Sequence, residues 1–156
     1  MDKTFITWDE FSKHCDILGC QVSAVYNRVD IIIALARGGV VPARLMAETV
    51  DTTCNPGFYS MGLSLYNGCE RKENISIYQD LPECNNTDIE KILIIDDISD
   101  GGTTLEFACS QLVERFPDAE LITATPYIKK STKFIPDFYV KEFPDDEWIV
   151  FPFEKD

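Results

Sequence analysis

Near the start of the chain, Trp8, Phe11, Cys15, Leu18, Val22 and Val25 recur at three- and four-residue steps behind Thr7-Trp8-Asp9-Glu10, which has the form of a capping box. The spacing predicts a helix running to about Asn27. The pattern then changes. Asp30 to Ala36 is apolar on both faces, which suits a strand inside a parallel sheet, and it ends at Arg37-Gly38-Gly39 ahead of a helix expected from about Pro42 to Val50. Phe58 to Tyr78 alternates weakly around Gly62, Asn67-Gly68 and the charged Glu70-Arg71-Lys72-Glu73, the pattern of a hairpin with a mobile tip. A second strong unit follows: Ile92 to Ile95 runs into Asp96-Asp97 and through Asp100-Gly101-Gly102-Thr103-Thr104 into a helix reaching Phe116, where Pro117 stops it. A strand from Leu121 to about Ala124 and strand-like pieces at Phe138-Phe143 and Trp148-Phe151 complete the chain. Strands and helices alternate, with glycine turns at the carboxyl ends of two buried strands. That pattern predicts an α/β fold, an open and mostly parallel twisted sheet flanked by helices, with its ligand at that edge.

Composition narrows the class. A chain of 156 residues, 45% hydrophobic, is long enough for one core, so a single domain over residues 1–156 is expected. Lys and Arg number 14 against 27 Asp and Glu, and the net charge of −13 sets the global field against nucleic acid and anionic lipid. A phosphate-bearing ligand must then be held by local groups: backbone amides, a few placed cations or a divalent metal. With no apolar run near the ~20 residues that span a bilayer and no apolar core behind Met1-Asp2-Lys3-Thr4, the expected location is cytoplasmic. Six scattered cysteines without a Cys-x-x-Cys pair are read as reduced thiols of mostly structural role.

The second unit carries the chemistry. Its strand delivers Asp96 and Asp97 to the sheet edge, and Asp100 opens a loop whose glycines let the backbone approach an anion at a helix N-terminus, with hydroxyls from Thr103 and Thr104. Asp96 and Asp97 are placed to hold ribose hydroxyls or a hydrated Mg²⁺ ion. Taken alone, the same residues also read as a solvated strand end followed by a capped turn. Arg37 offers a permanent forked cation, and Gly38 and Gly39 expose amides around it, although Arg-Gly-Gly is also a plain β-to-α turn.

Ile92 to Leu105, a hydrophobic strand, two acidic residues, two spacers, Asp and a Gly/Thr loop, resembles the phosphoribosyl pyrophosphate (PRPP) signature of type I phosphoribosyltransferases. The resemblance covers nearly the whole chain and is strongest to the small bacterial and archaeal xanthine-guanine and hypoxanthine-guanine enzymes. It implies a core over about 1–128, a small C-terminal hood over about 129–156 that binds the base, and a mobile hairpin lid over about 60–77. It also implies a role for each matching residue. Asp96 and Asp97 would face ribose and Mg²⁺, and Asp100 would be the catalytic acid/base near purine N7. Gly101, Gly102, Thr103 and Thr104 would bind the 5′-phosphate, with Gly101 standing where the family has Thr. Arg37 and Gly38 would bind the diphosphate, behind a peptide, Ala36-Arg37, that is often cis in the family. Lys129 would donate to the purine 6-oxo group, Trp148 would stack on the base and the Ile149 backbone would read its edge. At the lid, Tyr66 and Arg71 are the matching positions, and Leu65 replaces the usual Ser. The implied reaction transfers the phosphoribosyl group of PRPP to N9 of guanine, xanthine or hypoxanthine in a homodimer or homotetramer. A transferase of another base specificity, an RNA-binding regulator on the same fold and a small acidic receiver module stay open here.

Overall fold

The computed structural model describes residues 1–67, 73–83 and 88–155. Its elements run β1 (Asp2–Phe5), α1 (Trp8–Tyr26), β2 (Arg28–Val29), β3 (Ile31–Ala36), α2 (Val40–Met46), β4 (Asp51–Thr52), β5 (Phe58–Asn67) and β6 (Glu73–Gln79). The second half follows as β7 (Lys91–Ile95), β8 (Ile98–Ser99), α3 (Thr103–Arg115), β9 (Glu120–Ala124), β10 (Tyr127–Lys129), β11 (Lys141–Phe143) and β12 (Glu147–Val150).

The central sheet has five strands in the order β6-β5-β3-β7-β9, all parallel except the β5–β6 hairpin. Alternation along β3 explains why the sheet is covered on both faces. Ile32 and Ala34 join Leu18, Val22, Ala43 and Met46 of α1 and α2, while Ile31, Ile33 and Leu35 join Leu105, Ala108 and Leu112 of α3. Each fully buried Ile or Leu contributes roughly 1.5–3 kcal/mol of apolar burial, and the Ile-Ile-Ile and Ile-Leu-Ile-Ile runs supply it to both layers at once.

α1 begins as its sequence predicts, with the Thr7 side chain accepting from the Glu10 amide at 3.1 Å. Its buried stripe is narrower than the spacing implies: Trp8 is 54% and Val25 65% exposed, while Phe11 and Cys15 pack under the C-terminal strands and Leu18 and Val22 against the sheet. α2 differs from its expected span, starting at Val40 and ending at Met46. Gly39 serves as its N-cap, and beyond Met46 the Glu48 and Thr49 amides bond to carbonyls only three residues back, which tightens and ends the helix.

The largest departure is at the termini. The sequence pattern starts at Thr7, yet Asp2–Phe5 form a strand parallel to β12, with Asp2, Lys3, Thr4 and Phe5 in register with Glu147, Trp148, Ile149 and Val150. The Thr4 hydroxyl donates to Glu147 Oε2 at 2.8 Å. This pair sits beside a three-stranded parallel sheet, β11-β10-β8, and both rest on a cluster of Ile6, Phe11, Cys15, Tyr127, Phe143 and Phe151. The predicted strand Phe138–Phe143 is shortened to Lys141–Phe143, since the Val140 and Lys141 amides both donate to the Pro126 carbonyl and bend the chain there. The hairpin is present, with β5 and β6 paired from Gly62 to Asn67, while Arg71 lies outside the described residues. No helix among the described residues is long and apolar enough to cross a membrane.

Candidate active site

Three cavities open at the carboxyl edge of β3 and β7, and Asp97 lines all of them. One, about 430 Å³, is walled by Asp96 to Leu105 and closed on one side by Leu65 of β5. A second, about 1010 Å³, holds Arg37, Gly38 and Trp148. A third, about 310 Å³, holds Asp100, Lys129, Trp148 and Ile149. The residues expected to bind sugar phosphate, diphosphate and base are therefore brought together from three separate stretches, and each of them lines at least one cavity.

The first cavity is a helix N-terminus reached through two glycines. Gly102 caps α3 at φ +89°, and a Cβ there would lie 2.6 Å from the Phe134 amide nitrogen, so the position accepts only glycine. Gly101 is different, because a Cβ built on it meets nothing closer than Thr103 Oγ1 at 3.9 Å. The loop is braced from behind: the Ser99 hydroxyl donates to the Phe134 carbonyl at 2.6 Å, and the Lys133 amide donates to the Gly101 carbonyl at 3.2 Å. Gly102 brings no capping side chain, and the N–H groups at the start of a helix of 13 residues form an anion cradle.

At the second cavity the Ala36–Arg37 peptide is cis. Gly38 packs directly on Asp97, since a Cβ would collide with Asp97 Oδ2 and come within 2.7 Å of its Cγ. A Cβ on Gly39 would lie 2.5 Å from the Ile95 carbonyl oxygen and 2.6 Å from that of Leu35. The two glycines thus press the Arg37 turn against the end of β7, which is what joins the first motif to the second.

Asp96 and Asp97 are adjacent and half-buried, and the Asp97 amide donates to Asp96 Oδ1 at 2.9 Å. Burial pushes the Asp96 carboxyl well above the usual range, and the Asp97 charge adds to it. Burial also raises Asp97, with Glu154 contributing in the same direction. Two carboxylates held above their ordinary pKa fit a cation that would stabilise their charged forms. No group of three or more His, Cys, Asp or Glu side chains among the described residues could hold a metal on its own. The donor set therefore suits an ion bound through one or two carboxylates plus phosphate oxygens of a ligand, as Mg²⁺ is commonly held.

In the third cavity Lys129 is 5% exposed, and its ammonium donates to the Pro144 carbonyl at 3.0 Å and to the Glu147 carbonyl. Trp148 is 56% exposed, an aromatic face left open at the cavity mouth. His14, the only histidine, lies away from all three cavities with Nδ1 2.8 Å from the Tyr127 hydroxyl. Sequence reasoning missed Met1, Lys3, Asp145, Glu147, Glu154 and Lys155 as lining residues. A signal for β1 exists in Lys3-Thr4-Phe5-Ile6, rich in β-formers, but four residues ahead of a strong helix cap are too short to read as a strand without their partner.

Fold and site together define an α/β protein whose three cavities meet at the carboxyl edge of a mostly parallel sheet, the place where open α/β sheets hold their ligands. The chain belongs to the family described as phosphoribosyl transferase domain, whose profile matches residues 17–156. A xanthine-guanine phosphoribosyltransferase of Idiomarina loihiensis is 28% identical over 151 residues, 96% of this chain and 86% of that protein. A purine phosphoribosyltransferase of Pyrococcus horikoshii superposes with a TM-score of 0.80 at 29% identity, covering 99% of this chain and 96% of the other. A xanthine-guanine-hypoxanthine phosphoribosyltransferase of Helicobacter pylori shares the fold, with a TM-score of 0.81 at 23% identity over 96% and 92% of the two chains.

Proposed function

We propose that this chain is a purine phosphoribosyltransferase that joins N9 of a 6-oxopurine to the ribose of PRPP and releases pyrophosphate. The observation that carries the reading is the meeting of three cavities at Asp97. One suits a phosphate, one a diphosphate and one a base, so the anomeric carbon they share would sit beside Asp97.

Each wall has a task. The amides of Gly101 to Thr104 and the hydroxyls of Thr103 and Thr104 hold the 5′-phosphate, and the position of α3 fixes the ribose for in-line displacement. Asp96 and Asp97 accept from the ribose hydroxyls. The same two carboxylates are the residues that would hold Mg²⁺, whose chemistry there would be charge neutralisation for the leaving diphosphate. The Arg37 guanidinium and the Gly38 amide hold the diphosphate oxygens as the bond to the anomeric carbon breaks. Asp100, lining both the phosphate and base cavities, takes the proton at N7 as N9 forms the new bond. An ammonium has three donors, and Lys129 uses two on carbonyls, leaving one for the 6-oxo group. Adenine would present an amino group there and leave that donor unpaired. Trp148 stacks on the ring, the Ile149 backbone reads its edge, and the hairpin screens the centre from water.

As a salvage reaction on soluble substrates the activity belongs in the cytoplasm, and a homodimer or homotetramer is the assembly expected for the family. Pyrophosphate release measured with Mg²⁺, PRPP and each of guanine, hypoxanthine, xanthine and adenine tests the reading. Turnover with 6-oxopurines and none with adenine supports it; no turnover with any of them ends it.

A further inference from the structure

The large cavity around Arg37 has two more cations on its walls, Lys3 from the N-terminal strand and Lys155 from the chain's other end. Neither stands out in its sequence context. Their placement follows from topology. β1 lies parallel to β12 with Lys3 in register with Trp148, and residues paired in register project to the same face of a strand pair, so Lys3 faces the side on which Trp148 lines the cavity. Lys155 follows Glu154, whose Oε2 accepts from the Phe151 amide at 3.1 Å and pins the C-terminal turn against the hood.

The charge balance gives these lysines a purpose. The chain carries −13, and the cavity itself includes Asp97 and Glu154. A diphosphate brings several further negative charges into that field, and Arg37 is the only cation in the first-strand motif. Two ammonium groups on the facing wall would offset the repulsion where the leaving group sits.

Resting on the reading of the site as a PRPP site, we propose that Lys3 and Lys155 bind the diphosphate of PRPP from the hood side, so that the leaving group is held between the Arg37 turn and the two chain termini. The strand paired with β12, which lines the base cavity, would then also grip the leaving group. Both side chains are exposed, and β1 pairs through its backbone, so side-chain substitutions leave the pairing intact.

The test is steady-state kinetics of Lys3→Gln, Lys155→Gln and the double variant, with inorganic pyrophosphate as product inhibitor and thermal melting as a check of folding. Each single variant is expected to raise the KM for PRPP about fivefold, in line with one partly exposed charge contact, and the double variant about tenfold or more. The pyrophosphate inhibition constant should rise in parallel, with kcat and the KM for the base within about twofold of wild type. Lys3→Arg should restore most of the affinity. Unchanged PRPP and pyrophosphate affinities in the double variant would overturn the proposal, as would a rise confined to the base KM. If the wild-type chain turns over no purine, the transferase reading fails by itself, and calorimetry with Mg²⁺ and pyrophosphate still decides: weaker binding to the double variant supports the grip, equal binding removes it.

Discussion

Between Ile92 and Leu105 one wall of the site is built from consecutive residues: a buried strand, two carboxylates, a glycine loop and the first turn of α3. The facing wall draws Lys3 from one end of the chain, Lys129 from β10, Trp148 and Ile149 from β12 and Lys155 from the other end. The first wall owes its shape to backbone conformation and to the sheet beneath it. The second owes its shape to long-range pairing, β1 on β12 and β10 between β8 and β11. The difference teaches where each substrate property is set. On the proposed reading the 5′-phosphate and ribose meet the local wall, while the base and the hood side of the diphosphate meet the wall assembled from distant parts.

Substitutions can break that division, and the largest effect is expected at the junction. Asp100 lines the phosphate and base cavities together, so Asp100→Asn should lower kcat by about 10²–10³-fold while leaving the KM for PRPP nearly unchanged, read by steady-state kinetics. Equal turnover would remove Asp100 from the chemistry. Next comes the local wall. Gly102→Ala places a Cβ at positive φ and against the Phe134 backbone, which should cost about 2 kcal/mol of stability, seen as a lowered Tm together with weaker PRPP binding. On the assembled wall, Trp148→Ala should raise the base KM about tenfold with little change in Tm, because the ring is more than half exposed and its loss leaves no cavity in the core.

Smaller effects sharpen the comparison. Gly101 has room for a side chain, so Gly101→Thr, restoring the residue usual in the family, should lower the KM for PRPP about threefold by adding one hydroxyl donor to the phosphate. The smallest effect lies outside both walls. Burial lowers the His14 pKa, partly against Glu10, which raises it, and with Lys141, which lowers it further. The unfolded chain therefore binds the His14 proton more readily, and this contribution to stability is present above the ordinary histidine pKa and lost as pH falls below it. Tm measured between pH 7.5 and 5.5 should fall slightly more for wild type than for His14→Gln.

Much of the local wall is legible in the order of residues itself. Asp96, Asp97, Asp100 and the loop to Thr104 lie next to one another, and a strand that is apolar on both faces can only deliver them to a sheet edge. The capping box at Thr7 is equally plain, because Thr7 and Glu10 are three residues apart. The hood resists such reading. Lys129, Trp148 and Ile149 are placed by resemblance to a family, while β1, Lys3, Lys155 and Glu154 carry no usable local signal. The departures of Gly101 and Leu65 from the family pattern are visible as letters, yet only the geometry shows that Gly101 has space for a side chain and that Leu65 closes the phosphate cavity.

Order along the chain thus specified the parallel core and the phosphate loop, since hydrophobic period, glycine freedom and helix N-terminal amides act over a few residues. Pairing in space decided the cavity that holds Lys129, Trp148 and Ile149 and the wall that Lys3 and Lys155 give to the cavity around Arg37. Those depend on β1 finding β12 across more than 140 residues, as in the Thr4 to Glu147 bond, and contact at that separation is set by the packed core between them rather than by either segment's own pattern.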